Sequence, residues 1–167
     1  MSVVGVATNM GPCGLSADSD EISFVCYRDI TTGTVIDITD NGWETSNPGL
    51  WGNKEGIVRI TRVGPTVPKG TVFTLHATNL GSSWDYQMWP FQGWLTTHIS
   101  PAGGNFNLEM GGDQVYILSG GTWDFGAGAD VASYDGKVLT GYNTRSVWAA
   151  DGTNNQSNLH PSLEPCY

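Results

Sequence analysis

Charge is scarce in this chain: Asp, Glu, Lys and Arg make up 14% of its 167 residues, against roughly 25% in ordinary soluble domains. Basic residues are scarcest, seven against sixteen acids, for a net charge of −9. That balance repels phosphate backbones and anionic lipid headgroups, so nucleic acid is not an expected partner. Long apolar runs are also missing. None approaches the roughly 18 residues of a membrane span, and no membrane insertion is expected. The start, MSVVGVATNMGPCG, has neither a basic n-region nor a long apolar h-region, which suggests a protein kept inside the cell or a mature form with an added Met1.

Cysteine is rare and odd in number: Cys13, Cys26 and Cys166 cannot all pair within one chain. None of their spacings resembles a zinc site. Cys26 falls in the strand-like SFVCYRDI and reads as a buried free thiol. Cys13 and Cys166 lie near the two termini, which often approach each other in a domain; they form a candidate disulfide, with an intermolecular bridge as the alternative.

Catalytic signatures are absent too. The chain has three His, at 76, 98 and 160, no Gly-x-Ser-x-Gly elbow and no His-Glu-x-x-His pair. His76 sits in the apolar stretch GTVFTLHAT and reads as structural. No two of the acids are singled out for glycosidase chemistry. GAGAD at 126–130 lacks the third Gly and the following helix of a phosphate cradle. The chain is read as a non-enzyme with no cofactor, apart from the calcium ion considered below.

What the chain does have is Gly (23), Trp (7) and recurrent runs of β-branched and aromatic residues. EISFVCYRDI, GTVIDIT, GIVRITRV, GTVFTLHAT and QVYILSG stand between Gly, Pro, Asn and Asp clusters, the pattern of an all-β chain. Alternation places Ile22, Phe24 and Cys26 on one face, with Ile36/Ile38, Val58/Ile60 and Phe73/Leu75/Ala77 doing the same in their own segments. TTGTVIDITDNGW and PKGTVFTLHATNLGSSW echo each other and predict two opening strands with Gly33 and Gly70 at the bend. The expectation is one antiparallel β-sandwich domain over 1–167, with strands best defined over about 20–119. Residues 120–167 read as long loops covering the sandwich, anchored by Trp123, Val131, Trp148 and Leu159.

Two segments carry candidate function. DITDNG at 37–42 matches the first half of an EF-hand loop, but Pro48 occupies the twelfth position, where a bidentate carboxylate is required. Asn41-Gly42 then reads as a type I′ turn, and a looser calcium site built from Asp37, Asp40 and Glu44 is the secondary reading. SSWDYQMWPFQGW concentrates Trp84, Tyr86, Met88, Trp89, Phe91 and Trp94. Such residues either plug one end of the sandwich, anchor protein contacts or stack on sugars. Asn155-Gln156-Ser157 is a glycosylation sequon of little weight.

The combination DEISFVCYRDITTGTVIDITDNGWE, EGIVRITRV, PKGTVFTL, GDQVYILSGG and NQSNLHPSL resembles a family of β-sandwich modules related to the lamin-tail domain. These modules occur in large secreted or surface proteins. The most specific element is Gly-Thr-x-Ile-x-(Ile or Phe)-Thr-Asp-Asn-Gly-Trp, carried by Gly33, Thr34, Ile36, Ile38, Thr39, Asp40, Asn41, Gly42 and Trp43. The match covers about residues 20–119, with a weaker one at 155–163. The resemblance implies an Ig-like sandwich and supplies no catalytic residues. Chain continuing only briefly past NLHPSL suggests an open edge that a neighbouring chain could complete.

The functional expectation is therefore a structural or interaction module. It would self-associate or dock other proteins through strand edges and the aromatic segment. The alternatives are a carbohydrate-binding module using exposed Trp and Tyr, with glycans as partners, and a calcium-dependent surface or adhesion module. Composition favours a secreted or cell-surface setting.

Overall fold

The computed structural model describes residues 1–8, 19–45, 49–90, 92–99, 103–109, 112–128, 130–145, 147–149 and 156–166, the last two without their side chains. The fold is all-β, and no α-helix occurs among the described residues. One antiparallel sheet has the order β1 (Ser2–Ala7), β2 (Ser19–Val25), β7 (Val72–Asn79), β8 (Trp84–Trp89). A second has the order β13 (Lys137–Asn143), β10 (Gln114–Ser119), β3 (Val35–Thr39), β6 (Ile57–Arg62), β9 (Trp94–Ile99). Two short ladders, β4 (Trp43–Glu44) with β5 (Leu50–Trp51) and β11 (Trp123–Asp124) with β12 (Ser133–Tyr134), and a 3₁₀ turn at Pro161–Cys166 complete it.

The aliphatic faces expected from alternation all meet in one core between the two sheets. Ile22, Phe24 and Cys26 from β2 and its exit join Phe73, Leu75 and Ala77 of β7 on one side. Ile36 and Ile38 of β3, Val58 and Ile60 of β6, and Val115 and Ile117 of β10 supply the other. Register explains the match: Ile36 sits opposite Ile60, and Phe24 opposite Phe73, so period-two side chains stack into continuous apolar rows. The two echoing segments pair with each other just before their strands, where Ile30 and Val67 exchange backbone hydrogen bonds of 2.8 and 2.9 Å. Gly33 and Gly70 take φ of +87° and +83° there, a conformation that side chains disfavour.

The three central strands of the second sheet, β10, β3 and β6, are buried on both faces. Its outer side carries Ile57, Tyr116 and Leu118, which pack with Trp43, Trp51, Trp123, Ala132 and Leu163 into a second, aromatic core. QVYILS reads as a continuous apolar run because both of its faces are covered. Trp148 and Leu159 pack against this core half-buried, but the stretch after residue 120 is not only covering loop, because β13 within it is the edge strand of the second sheet, paired with β10. One polar clamp ties the layer down. Fully buried Asp37 receives Arg59 through two bonds of 2.7 and 2.8 Å, and Trp123 Nε1 donates to the same carboxylate at 3.2 Å.

The rims of the sheets approach each other on both sides, with β1 against β13 and β8 against β9. Thr96 Oγ1 of β9 donates to the Tyr86 carbonyl of β8 at 2.8 Å. The edges are thus partly covered from within the chain.

Asn41-Gly42 does not form the expected type I′ turn: neither residue has positive φ. Asn41 is fully buried instead. Its Nδ2 donates to Thr39 Oγ1 and the Gly56 carbonyl, and its Oδ1 accepts from Glu55 N at 3.1 Å. An amide satisfied by Thr39 of its own strand and by Glu55 and Gly56 in the next strand's approach holds the chain extended, which outweighs the local turn preference of the dipeptide.

Candidate metal centre

β10, β3 and β6 are neighbours in the second sheet, and their antiparallel directions bring the exit of β3 beside the starts of the other two. An acid stands at each of these ends. Asp40 follows β3, Glu55 precedes β6 by two residues, and Asp113 directly precedes β10. One carboxylate oxygen from each lies within 4.8 Å of the others. Asp40 and Asp113 are buried, and Glu55 is mostly so. Gly56 makes the approach possible, because a Cβ there would collide with the backbone of Asn105 and Phe106.

Backbone amides orient the cluster. Asp40 Oδ1 accepts from Gly56 N at 3.1 Å, and its Oδ2 accepts from Asn107 N at 2.7 Å. Asp113 Oδ1 accepts from Gln114 N at 2.8 Å. The Asp40 carbonyl accepts from Gln114 Nε2, while Gln114 Oε1 accepts from Ser157 N at 3.0 Å. The trio is thereby tied to the C-terminal segment. Two atoms have no such support: Glu55 Oε2 and Asn107 Oδ1 are shut off from solvent without a hydrogen-bond partner.

Among the described residues no ion pair neutralises these three acids. Arg145 lowers Asp113 only slightly, and its Nε donates to the Gly112 carbonyl at 3.0 Å. Burial is the main cause that pushes Asp40 well above the usual carboxylate range, with the charges of Glu55 and Asp113 adding to it. Burial, then Asp113 and Glu109, raises Glu55 to about 9. Asp113 rises to about 7, again chiefly through burial. Three like charges this close, out of water, either take up protons or hold a cation. A donor set made only of oxygen suits hard divalent ions such as calcium or magnesium and not zinc or copper.

The calcium ligands expected from sequence, Asp37, Asp40 and Glu44, are not brought together. Asp37 points to the outer face of the sheet and is committed to Arg59 and Trp123. Glu44 is carried off by β4 to the neighbourhood of the Lys54–Asp130 ion pair, where burial, then Asp130, raises its pKa. Only Asp40 belongs to the cluster. Sequence reasoning missed Glu55 and Asp113. The available signal was an acid just before each of two strand runs, EGIVRI and GDQVYI, but their meeting depends on strand order.

The aromatic segment alternates as expected, yet most of it faces inward. Tyr86 and Met88 are 6% and 2% exposed and belong to the main core, with Trp84 half-buried against it. Tyr86 is pinned there because its OH accepts from Phe106 N at 3.0 Å. Trp94 packs on Phe73 under the Arg62 guanidinium, 5.1 Å from its ring. These four are therefore core or core-packed residues and not a contact surface. The exposed member is Trp89, at 55%, which shares the outer face of the first sheet with Val72, at 51%. Phe91 lies outside the described residues.

Cys26 is a buried free thiol, with Sγ donating to the Pro68 carbonyl at 3.3 Å. Cys13 and Asn155 lie outside the described residues, as does the side chain of Cys166, and the proposed disulfide with them. Comparison with protein-family models, curated proteins and solved structures found no match.

Proposed function

We propose that the chain is a non-enzymatic structural and interaction module whose sandwich is held together by a calcium ion. The observation that carries this reading is the buried Asp40–Glu55–Asp113 cluster, three carboxylates without an ion-pair partner among the described residues. Calcium accepts six to eight oxygens in loose geometry, whereas magnesium demands a regular octahedron and gives up its waters reluctantly. A cluster tied to fixed strand ends suits the former. The ion would join the ends of β3, β6 and β10. Through Gln114 and Ser157 it would also steady the aromatic layer above them.

The module's contacts with other proteins, or with further copies of itself, are assigned to the outer face carrying Trp89 and Val72, where apolar side chains stand in the open. The lamin-tail-like reading and its Ig-like topology rest on the Gly33–Trp43 motif.

Thermal unfolding tests the proposal. Calcium at about a hundred times its dissociation constant stabilises by about 2.7 kcal/mol, which for a domain of this size raises the midpoint by roughly 5–10 °C over chelator. Magnesium should do less. Equal midpoints in calcium and in chelator would overturn the cation reading.

A further inference from the structure

A second site lies against the aromatic core. β4 and β5, the start of β13 and the terminal 3₁₀ turn enclose a pocket of about 460 Å³, within the usual size range for small-ligand sites. Trp43 and Trp51 lie at its base, 5.0 Å apart and edge-on. The His160 ring stacks on Trp51 at 14° and lies 4.2 Å from Trp43. Tyr134, Lys137 and Ser162 also line it.

Three features define what such a pocket accepts. Its walls are mainly ring faces and edges, which favour a flat or ring-shaped ligand. Burial keeps His160 below its ordinary pKa, and Nδ1 accepts from Ser162 N at 3.2 Å, so the ring is a neutral donor through Nε2. Among the described residues the lining contains no Asp or Glu, although acids outnumber bases sixteen to seven along the chain. Lys137 is exposed on this lining and forms no ion pair with any described residue. A cation kept clear of carboxylates in so acidic a protein calls for an anion.

We propose that this pocket binds a small ring compound bearing a carboxylate, with the ring against the half-buried Tyr134 and His160 rings, which Trp43 and Trp51 back from below, and the carboxylate at Lys137. Two chemical sources satisfy that description, an aromatic acid and a uronic acid. The site shares no residue with the carboxylate cluster.

Isothermal titration and Trp fluorescence on the full chain test it, with 4-hydroxyphenylacetate and methyl glucuronide as probes and phenol and methyl glucoside as their neutral counterparts. At least one acid should bind saturably at millimolar concentration, and its neutral counterpart roughly tenfold more weakly. Whichever acid binds identifies the source. Lys137→Met should weaken that acid roughly tenfold. This exposed position makes no contact that folding needs. Ser162→Trp should block the pocket altogether. Saturable binding by neither acid, equal binding of acid and neutral partner, or unchanged affinity in Lys137→Met would each overturn the proposal.

Discussion

Replacing Glu55 by Gln should stabilise the cation-free protein and destabilise the calcium-loaded one, and this reversal of sign is specific to a shared carboxylate site. Glu55 is the cleanest probe of the three because its buried Oε2 accepts no hydrogen bond from any described residue, whereas the Asp40 and Asp113 carboxylates accept from backbone amides. At a separation of 4.8 Å, two unit charges in a medium of effective dielectric 20 repel by about 3–4 kcal/mol. Proton linkage gives a similar figure. Glu55 titrates near 9 when folded against an ordinary value of 4.5, so the folded state binds the extra proton and its stability falls as pH rises from about 4.5 to about 9. At pH 7 the cost is on the order of 3 kcal/mol, shrinking to about 1 kcal/mol at pH 5. Glu55→Gln removes that cost. In urea unfolding with chelator, the variant should therefore exceed the parent by about 3 kcal/mol at pH 7 and by only about 1 kcal/mol at pH 5. In calcium it should fall below the parent, having lost one of three anionic ligands. A variant that is less stable in chelator at pH 7, or whose advantage does not shrink toward pH 5, would refute the reasoning.

Other perturbations reach different parts of the account. Arg59→Ala leaves Asp37 buried with only the Trp123 indole as partner and should cost about 3–5 kcal/mol; the double replacement Asp37→Leu/Arg59→Met should recover most of it in the same urea assay. His160 has a folded pKa below its ordinary 6.5, so the unfolded state takes up the proton first. Its contribution to stability is intact above about pH 6.5 and is lost as pH falls below that value. The carboxylates titrate with the opposite sign, so the test is the difference between parent and His160→Phe: the parent should lose ground to the variant on going from pH 7 to pH 5. Trp89→Ser should reduce any concentration-dependent mass seen by sedimentation while leaving the melting midpoint nearly unchanged, since the ring is more exposed than buried.

The main core was legible because strand period and burial coincide. Ile36 and Ile38 had to share a face whatever lay opposite, and Phe24, Val58 and Leu75 follow the same rule. The second core was not, because Trp43, Trp51 and Trp123 come from two-residue strands too short to show a period. The aromatic segment showed the right alternation but not its direction, since a two-faced pattern does not say which face is wet; burial of Tyr86 and Met88 is decided by the sheet opposite. Asn41-Gly42 departs from its local turn preference because the Glu55 and Gly56 backbone, fourteen and fifteen residues on, captures the Asn41 amide. The carboxylate cluster is the extreme case. Its members lie at positions 40, 55 and 113, and only the order β10-β3-β6 makes them neighbours.

Crystals grown with terbium in place of calcium offer the most direct test, because the ion's anomalous scattering marks its own position. The account predicts one strong peak bonded to carboxylate oxygens of Asp40, Glu55 and Asp113, at about 2.3–2.6 Å. Ordered solvent or bare protonated carboxyls there, with terbium scattered over surface acids, would contradict it.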